Sequence, residues 1–287
     1  MEIFWDFGPM KHRFAIAGCG HIAQRHARNI ARVGQLAAVC DVAPERADAL
    51  AAAYDAVQVY DFNDLLTRPI DVVSLCTPNY LHASQAIRAL EAGMHVLCEK
   101  PMAIHAADAR AMLQARDKTG KMLFVVKQNR FNPPVLFLRE SIVTGDLGAI
   151  HSFQVNCFWN RPPSYYQESD WKGRPDKDGG ILLTQFSHFI DLICWLFGDM
   201  DAVKGFAGNF LLRDHLDTED TGVVALKTKQ GAIGSLHYTV TSHHHNMEGS
   251  ITVFGEKGTI KVGGQYLNEL QYYSVAGRTA PDRKSTV

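Results

Sequence analysis

The stretch Phe14–Ala23, FAIAGCGHIA, joins a short apolar run to a glycine-rich turn and the start of a helical pattern. The apolar run has the character of a buried strand, and Gly18, Gly20 and Ala23 follow it with the spacing of a dinucleotide-binding turn. In such a turn the first glycine permits the tight bend and the second lets the backbone approach a pyrophosphate. The third small residue lets the helix pack closely on the strand, and the helix N-terminus attracts phosphate.

The same strand–helix alternation continues on both sides of this turn. Strands alternating with helices of about ten residues predict a parallel sheet with right-handed crossovers. We therefore predict a Rossmann-type, doubly wound α/β domain over residues 10–127. Its strand-like runs are 14–17, 37–40, 57–59, 72–76, 95–98 and 122–126, and its helical patterns are 22–33, 44–54, 82–92 and 106–118.

The second half of the chain has a different pattern, with meandering strands and few helices. It predicts an α+β domain over residues 128–287 with a mostly antiparallel sheet. One helix is predicted over 182–197, after a first short helix. The strand-like runs are 150–159, 202–210, 222–227, 232–241, 250–254 and 259–262. Residues 1–9 are expected to be a disordered extension. Residues 274–287 read as a polar tail, which predicts a second domain shortened at its C-terminus.

Composition excludes several classes of function. The 287 residues include 29 Lys or Arg and 30 Asp or Glu, so the net charge of −1 gives no general attraction to nucleic acid or anionic lipid. No apolar run reaches the roughly 18 residues of a membrane helix. The N-terminus lacks the pattern of a secretion signal, and the six cysteines contain no CxxC pair. We therefore expect a cytoplasmic protein with reduced cysteines.

Asp41 and Lys100 are the first candidate site residues outside the glycine turn. Asp41 follows the second strand, 21 residues after Gly20, where a carboxylate binds the ribose hydroxyls and repels a 2′-phosphate. No Arg follows it directly, which predicts NAD in preference to NADP. Lys100 lies at the carboxyl end of a strand, the edge where such sheets bind ligands, and its bond to Pro101 is one that can be cis.

The helical pattern at 182–197 carries an unusual polar stripe. At about 100° per residue, one face collects Thr184, His188, Asp191 and Trp195. The opposite, apolar face is expected to be buried. A stripe without Lys or Glu suits a wet pocket, with His188 as its titratable group, and the alternative is a structural histidine in a satisfied hydrogen-bond network.

Polar and aromatic residues in the second domain predict recognition of a charged sugar or a diphosphate, because Arg binds such anions bidentately. The alternative for each is an ordinary surface-loop residue. No metal site is predicted, since the consecutive residues His243–His245 alternate faces on a strand. The candidate substrate-binding residues are Arg130, Asn132, Arg161, Tyr166, Trp171, Lys172, Gln185 and Asp191.

Several motifs together resemble the Gfo/Idh/MocA oxidoreductases, which include glucose–fructose oxidoreductase-like and inositol-dehydrogenase-like enzymes. In the first domain these are the glycine turn, TPNYLH at 77–82 and EKP at 99–101. In the second domain they are GGILLTQFSHFID at 179–191 and VFGEKGT at 253–259. The resemblance runs from about residue 12 to residue 273 and implies both domains already inferred.

The resemblance also implies residue roles. Lys100 would touch the nicotinamide ribose and the reacting hydroxyl, and His188 would be the acid/base. The implied cofactor-binding residues are Gly18, Gly20, His21, Ile22, Asp41, Thr77, Pro78, Asn79, His82, Glu99 and Lys100. Thr184 stands where most members have Asp, and we count it with the catalytic candidates. This variant looks more like the branch that oxidises nucleotide-linked amino-sugar acids, such as UDP-N-acetyl-2-amino-2-deoxyglucuronate, at C3.

The predicted function is therefore NAD-dependent hydride transfer from a ring hydroxyl of a sugar or nucleotide sugar. Three alternatives stay open: an NAD-dependent glycosidase of similar fold, an inositol or polyol dehydrogenase, and a non-catalytic nucleotide-sensing protein. The exposed face of the second-domain sheet predicts a homodimer or homotetramer.

Overall fold

The computed structural model describes residues 12–279, which form two compact units, one ending at Val126 and one starting at Lys127. The predicted extension at 1–9 and the last eight residues of the predicted tail lie outside the described residues. No helix among residues 12–279 combines the length and the apolar character that crossing a bilayer requires.

The first unit is a six-stranded parallel sheet in the order β3-β2-β1-β4-β5-β6. Its strands are β1 Arg13–Ala17, β2 Gln35–Cys40, β3 Val57–Val59, β4 Val72–Leu75, β5 His95–Cys98 and β6 Leu123–Val125. Its helices are α1 Ala23–Val33, α2 Pro44–Tyr54, α3 Phe62–Leu66, α4 His82–Glu91 and α5 Ala106–Thr119, with a 3₁₀ turn at Asn79–Leu81. The strand order reverses between β1 and β4, and ligands bind at this point in open α/β sheets. The predicted doubly wound fold is confirmed.

The second unit is a seven-stranded sheet in the order β13-β12-β11-β7-β10-β9-β8, in which β7 and β10 are parallel and all other neighbours antiparallel. Its strands are β7 Ile150–Phe158, β8 Met200–Gly208, β9 Thr221–Thr228, β10 Ile233–Thr239, β11 Glu248–Gly255, β12 Gly258–Gly263 and β13 Glu269–Val275. Its helices are α6 Pro133–Val143, α7 Pro163–Gln167, α8 Ile181–Thr184 and α9 Ser187–Phe197, with a 3₁₀ turn at Gln128–Phe131. The predicted α+β architecture is confirmed.

The apolar residues of α6 and α9 pack with alternate residues of the central strands into one core. On β7, for example, Phe153, Val155 and Cys157 are buried while the residues between them are not. This alternation is the pattern of a sheet with one face packed against helices. It holds α9, with His188 in its first turn, firmly against the sheet.

Two sequence predictions were wrong in this unit. The single helix predicted over 182–197 is two helices, because the Phe186 amide bonds back to the carbonyl of Ile181 and regular helical bonding restarts only at Ser187. Ser274 and Val275, predicted to open a polar tail, instead end β13, which pairs with β12. As an edge strand with most of its side chains exposed, β13 lacks the clear apolar alternation that marks a half-buried strand.

Candidate active site

The glycine turn after β1 combines one crowded position with one open position. Gly18 has a φ of +87°, and a Cβ atom there would lie 2.6 Å from the carbonyl carbon of Cys76. A Cβ atom on Gly20 would meet nothing within 4 Å. The first glycine is therefore required by packing within the protein, while the second borders space that a phosphate group can enter. The turn thus fits a dinucleotide pyrophosphate.

Asp41 lies beside this turn. Its Oδ2 accepts a hydrogen bond of 2.7 Å from the backbone N–H of Cys19, and its Oδ1 accepts one of 2.9 Å from the N–H of Ala43. Burial, followed by the charge of Asp41, raises the pKa of the Cys19 thiol to about 12. The thiol therefore stays uncharged at neutral pH, and the carboxylate is the charge that a ribose would meet at this end of β2.

The segment after β4 is held by side chains of α4. The hydroxyl of Thr77 donates to Oε1 of Gln85 over 2.6 Å, and Asn79 lies buried in the 3₁₀ turn. His82 is 1% exposed, with Nδ1 2.7 Å from the carbonyl oxygen of Pro101 and Nε2 2.9 Å from that of Thr77. Burial lowers the pKa of His82. The neutral ring donates to only one of the two carbonyls at a time.

Lys100 follows β5 in a turn whose backbone is bonded to a buried carboxylate. The Lys100–Pro101 bond is cis, as the sequence allowed. Glu99 is buried, and its two carboxylate oxygens lie 2.8 Å from Nε2 of His26 and 3.1 Å from the backbone N–H of Lys100. Burial alone would raise the pKa of Glu99, but the hydrogen bond from His26 and the charges of His26 and Lys100 lower it below the usual value. Glu99 is therefore a carboxylate.

These residues fit NAD. Gly18 and Gly20 would hold its pyrophosphate, Asp41 its adenosine ribose, and the residues after β4 and β5 its nicotinamide half. His21 is exposed and Ile22 half-buried at the start of α1, beside the turn. Glu99 and His82 are buried, and their side-chain polar atoms face protein groups.

In the second unit, a short segment after β6 lies along α9 and contacts it at three points. Nζ of Lys127 donates to the carbonyl of Ser187 over 3.3 Å. Nε2 of Gln128 lies 3.0 Å from Nε2 of His188, and His188 is only 4% exposed. Arg130 makes the third contact, with Asp191. The segment therefore covers the polar stripe that the sequence predicted to line a wet pocket.

Arg130 and Asp191 form a bidentate ion pair. Nε of Arg130 donates to Oδ2 of Asp191 and Nη2 donates to Oδ1, each over 2.7 Å. Hydrogen bonding to Asp191 raises the pKa of Arg130 further above its usual value. The guanidinium also lies 5.2 Å from the ring centre of Trp195. Two predicted substrate-binding residues thus neutralise each other and fix the start of the second unit on α9.

Arg161 and Lys172 form a cationic group around an aromatic ring. The guanidinium of Arg161 lies 5.4 Å from the ring centre of Tyr165, and Nζ of Lys172 lies 4.0 Å from it. Nε of Arg161 donates to Oε1 of Gln185 over 2.8 Å, and Nε2 of Gln185 donates to the hydroxyl of Tyr165 over 2.8 Å. The structure therefore brings these predicted substrate residues together, with Tyr165 at their centre.

The remaining predicted residues have internal contacts. The hydroxyl of Thr184 donates to the carbonyls of Asp178 and Gly180. Because the helix breaks after it, Thr184 does not continue the stripe of α9. Nδ2 of Asn132 donates to the carbonyls of Tyr266 and Leu267. Tyr166 is 5% exposed within the core, and Trp171 is half-buried.

Sequence reasoning missed Gln128, His26 and Ser74. Gln128 stands in the polar run KQNR just after β6, two residues before Arg130, and this position was the available signal. His26 and Ser74 had no signal of their own, because a lone histidine in a helix and a serine in a strand are ordinary. Among residues 12–279, His, Cys, Asp and Glu side chains form no group of three suited to hold a metal ion.

Known proteins match both units. Residues 12–127 match the oxidoreductase family with an NAD-binding Rossmann fold, and residues 135–261 match the GFO/IDH/MocA C-terminal domain. The chain is 39% identical to the WlbA dehydrogenase of Chromobacterium violaceum, solved with NADH and UDP-GlcNAcA, with a TM-score of 0.92 over 96% of this chain and 81% of that one. For the WlbA dehydrogenase of Bordetella pertussis, solved with the same ligands, the identity is 38% and the TM-score 0.93, over 97% and 82%.

A curated relative, the D-glucoside 3-dehydrogenase of Escherichia coli, is 40% identical over 67% of this chain and 55% of its own length. The relatives of this chain thus include dehydrogenases of sugars and of a nucleotide sugar, and both WlbA structures contain NADH. The glycine turn, Asp41 and the Lys100 turn are the residues that would hold the same cofactor here. The chain belongs to the GFO/IDH/MocA family of NAD-binding oxidoreductases.

Proposed function

We propose that this protein oxidises the C3 hydroxyl of a UDP-linked amino-sugar acid, with UDP-GlcNAcA as the substrate to test and NAD as the hydride acceptor. The observation that carries the proposal is the 38–39% identity, over nearly the whole chain, to two dehydrogenases solved with NADH and UDP-GlcNAcA. The cationic group of Arg161 and Lys172 beside Tyr165 supports it, because a diphosphate and a carboxylate both require cations.

Two side chains of this chain carry the proposed chemistry. His188 takes the proton of the reacting hydroxyl, and Lys100 donates a hydrogen bond to the oxygen as negative charge develops on it. Bound NAD supplies the acceptor for the hydride that leaves the same carbon. The products are a ketone, NADH and a proton on His188, which then passes to solvent.

The amide of Gln128 suits the two protonation states of His188. With its NH₂ toward the ring it donates to the lone pair of Nε2, and with its carbonyl toward the ring it accepts a proton from Nε2. The amide of Gln128 can therefore bond to Nε2 whether or not that atom carries a proton, and in either case the bond fixes the orientation of the ring.

Incubation with NAD and UDP-GlcNAcA tests the function. We expect NADH to form in equal amount with a product that has lost two hydrogens, with a ketone at C3 by NMR. Three other compounds serve as controls: myo-inositol, an alkyl glucoside and UDP-GlcNAc. The last of these lacks the carboxylate. Turnover of myo-inositol but not of UDP-GlcNAcA would replace the proposal with a polyol dehydrogenase. Release of an aglycone without net NADH would replace it with a glycosidase.

Changing Asp41 to Ala is expected to reverse much of the preference for NAD. The carboxylate binds ribose hydroxyls and repels a 2′-phosphate, so its loss should weaken the binding of NAD and allow NADP to bind. We expect the ratio of kcat/KM with NAD to kcat/KM with NADP to fall by about 100-fold, equivalent to about 2.7 kcal/mol. Steady-state kinetics with both cofactors measure the ratio. Asp117→Ala, at an exposed position on α5, is the control. An unchanged ratio in Asp41→Ala would remove Asp41 from the cofactor site.

Changing Gln128 to Leu is expected to lower kcat by about 10-fold, because loss of one hydrogen bond to a catalytic imidazole allows it to turn away from the productive orientation. The Kd of NADH should stay within about twofold. Stopped-flow measurement of hydride transfer and a fluorescence titration with NADH give the two values. Gln271→Leu, at an exposed position on β13, is the matched control. Equal kcat in all three proteins would contradict a role for Gln128.

The homodimer or homotetramer and the cytoplasmic location stay predictions. Light scattering of the purified protein measures the first, and cell fractionation measures the second.

A further inference from the structure

A chain of buried polar groups runs under the Lys100 turn in the first unit. Oγ of Ser74, on β4, lies 2.7 Å from Nδ1 of His26, on α1. Nε2 of His26 lies 2.8 Å from Oε1 of Glu99, and Oε2 of Glu99 accepts the backbone N–H of Lys100 over 3.1 Å. Ser74 is fully buried, and His26 and Glu99 are each less than 10% exposed. The chain thus connects β4, α1 and the turn after β5.

The Glu99 carboxylate fixes the direction of its two hydrogen bonds. A carboxylate can only accept, so Nε2 of His26 donates to Oε1 of Glu99, while Nδ1 of His26 shares a hydrogen bond with the hydroxyl of Ser74. Glu99 uses one oxygen for His26 and the other for Lys100. Gln at this position would offer only one acceptor oxygen for the two donors. The arrangement therefore requires a carboxylate at residue 99.

The other side of the turn is held by a second buried histidine. Nδ1 of His82 lies 2.7 Å from the carbonyl of Pro101, directly after Lys100, and its other nitrogen reaches the carbonyl of Thr77. The N–H of Lys100 is thus bonded to the Glu99 carboxylate, which contacts the His26 ring of α1, and the carbonyl of Pro101 lies beside the His82 ring of α4. The nitrogens of both rings face protein groups, those of His26 the side chains of Ser74 and Glu99 and those of His82 the carbonyls of Pro101 and Thr77.

We propose that His26 and Glu99 are positioning residues that hold the Lys100 backbone in the geometry required for hydride transfer, with His82 supporting the turn from its other side. In this proposal Glu99 and His82 act through the backbone of the Lys100 turn, whereas the motif resemblance implied that they bind the cofactor themselves. The proposal rests on the proposed function of Lys100.

The test compares Glu99→Gln, His26→Leu and the double variant with the wild-type protein. His95→Leu is the matched control, because His95 lies at the other end of β5 and its Nδ1 accepts the N–H of Met122, far along the strand from Lys100. The first measurement needs no substrate. Hydrogen exchange is followed by mass spectrometry on fragments that differ by the Lys100 amide. We expect exchange at this amide to be at least about 10-fold faster in both single variants, and unchanged in the control.

The second measurement is hydride transfer to NAD from UDP-GlcNAcA carrying deuterium at C3. We expect kcat to fall by about 10- to 100-fold in each single variant, because small displacements of a catalytic group have effects of that size. The double variant should lose no more than either single variant, since the two residues act as one unit. The Kd of NADH should stay within about threefold, and the kinetic isotope effect should rise as hydride transfer becomes slower.

A merely structural role gives a different pattern. Uniformly faster exchange throughout residues 12–126, with parallel losses in Tm, NADH affinity and kcat, would overturn the proposal. Unchanged Lys100 exchange and kcat in both single variants would overturn it as well. If the wild-type protein does not turn over UDP-GlcNAcA, the proposed substrate is wrong. In that case hydrogen exchange at the Lys100 amide alone tests whether His26 and Glu99 hold the turn.

Discussion

Lys100→Met is expected to lower kcat by at least about 100-fold, the loss measured when one preorganised donor to a developing oxyanion is removed. Methionine keeps the length and the apolar stem of lysine but cannot donate a hydrogen bond or carry a charge. The main chain of the turn stays held by Glu99 and His82, so the substitution removes the ammonium group and little else.

Two measurements separate this chemical loss from a loss of binding. Single-turnover formation of NADH from UDP-GlcNAcA gives the rate of hydride transfer, and a fluorescence titration gives the Kd of NADH, which should change by no more than about threefold. Lys118→Met, at an exposed position on α5, removes a lysine charge from the same unit and should retain wild-type kcat. Turnover within twofold of wild type in Lys100→Met would disprove the role assigned to Lys100.

His188→Ala is expected to lower kcat by about 100- to 10,000-fold, the usual contribution of a positioned general acid or base. The reaction must remove the hydroxyl proton as the hydride leaves, and the imidazole is the group we assign to it. Added imidazole should restore part of the rate, because a small base can enter the space that the side chain leaves. Rescue of this kind distinguishes a missing base from a damaged fold.

The control for this variant is His151→Ala, which removes an exposed histidine at the start of β7. Circular dichroism and the Tm of His188→Ala establish that the second unit still folds, since His188 is buried in the first turn of α9. A variant that folds, binds NADH and keeps the wild-type rate would show that His188 is a structural histidine, the alternative that the helical pattern left open.

The parallel sheet of the first unit was predictable because its information is local. Short apolar runs ending at Cys40, Leu75 and Cys98 lie between helical patterns of regular length, and the edge where these strands end is set by topology alone. The glycine turn, Asp41 and Lys100 all follow strand ends, so their common neighbourhood could be inferred. The helix predicted at 44–54 is also where the structure has it.

The second unit was less predictable because its decisive features depend on packing. A continuous helical pattern over 182–197 does not reveal that the Phe186 amide bonds back to Ile181 and breaks the helix. Nor does it reveal that Arg130 pairs with Asp191 and covers a stripe that periodicity marked as open. The ion pair depends on which segment lies against α9, and that segment is 61 residues away along the chain.

The sequence by itself determined the class of the two domains and the cofactor, and it supplied the side chains that we propose for hydride transfer, because those signals reside in spacing, residue type and motif. Only the tertiary structure decided what surrounds those side chains. His26 bonds to Ser74, 48 residues away along the chain, and to Glu99, 73 residues away. Gln128 and His188, which also bond, are 60 residues apart. Hydrogen bonds of this kind depend on distances of about 3 Å between folded segments, and no pattern along the chain encodes them.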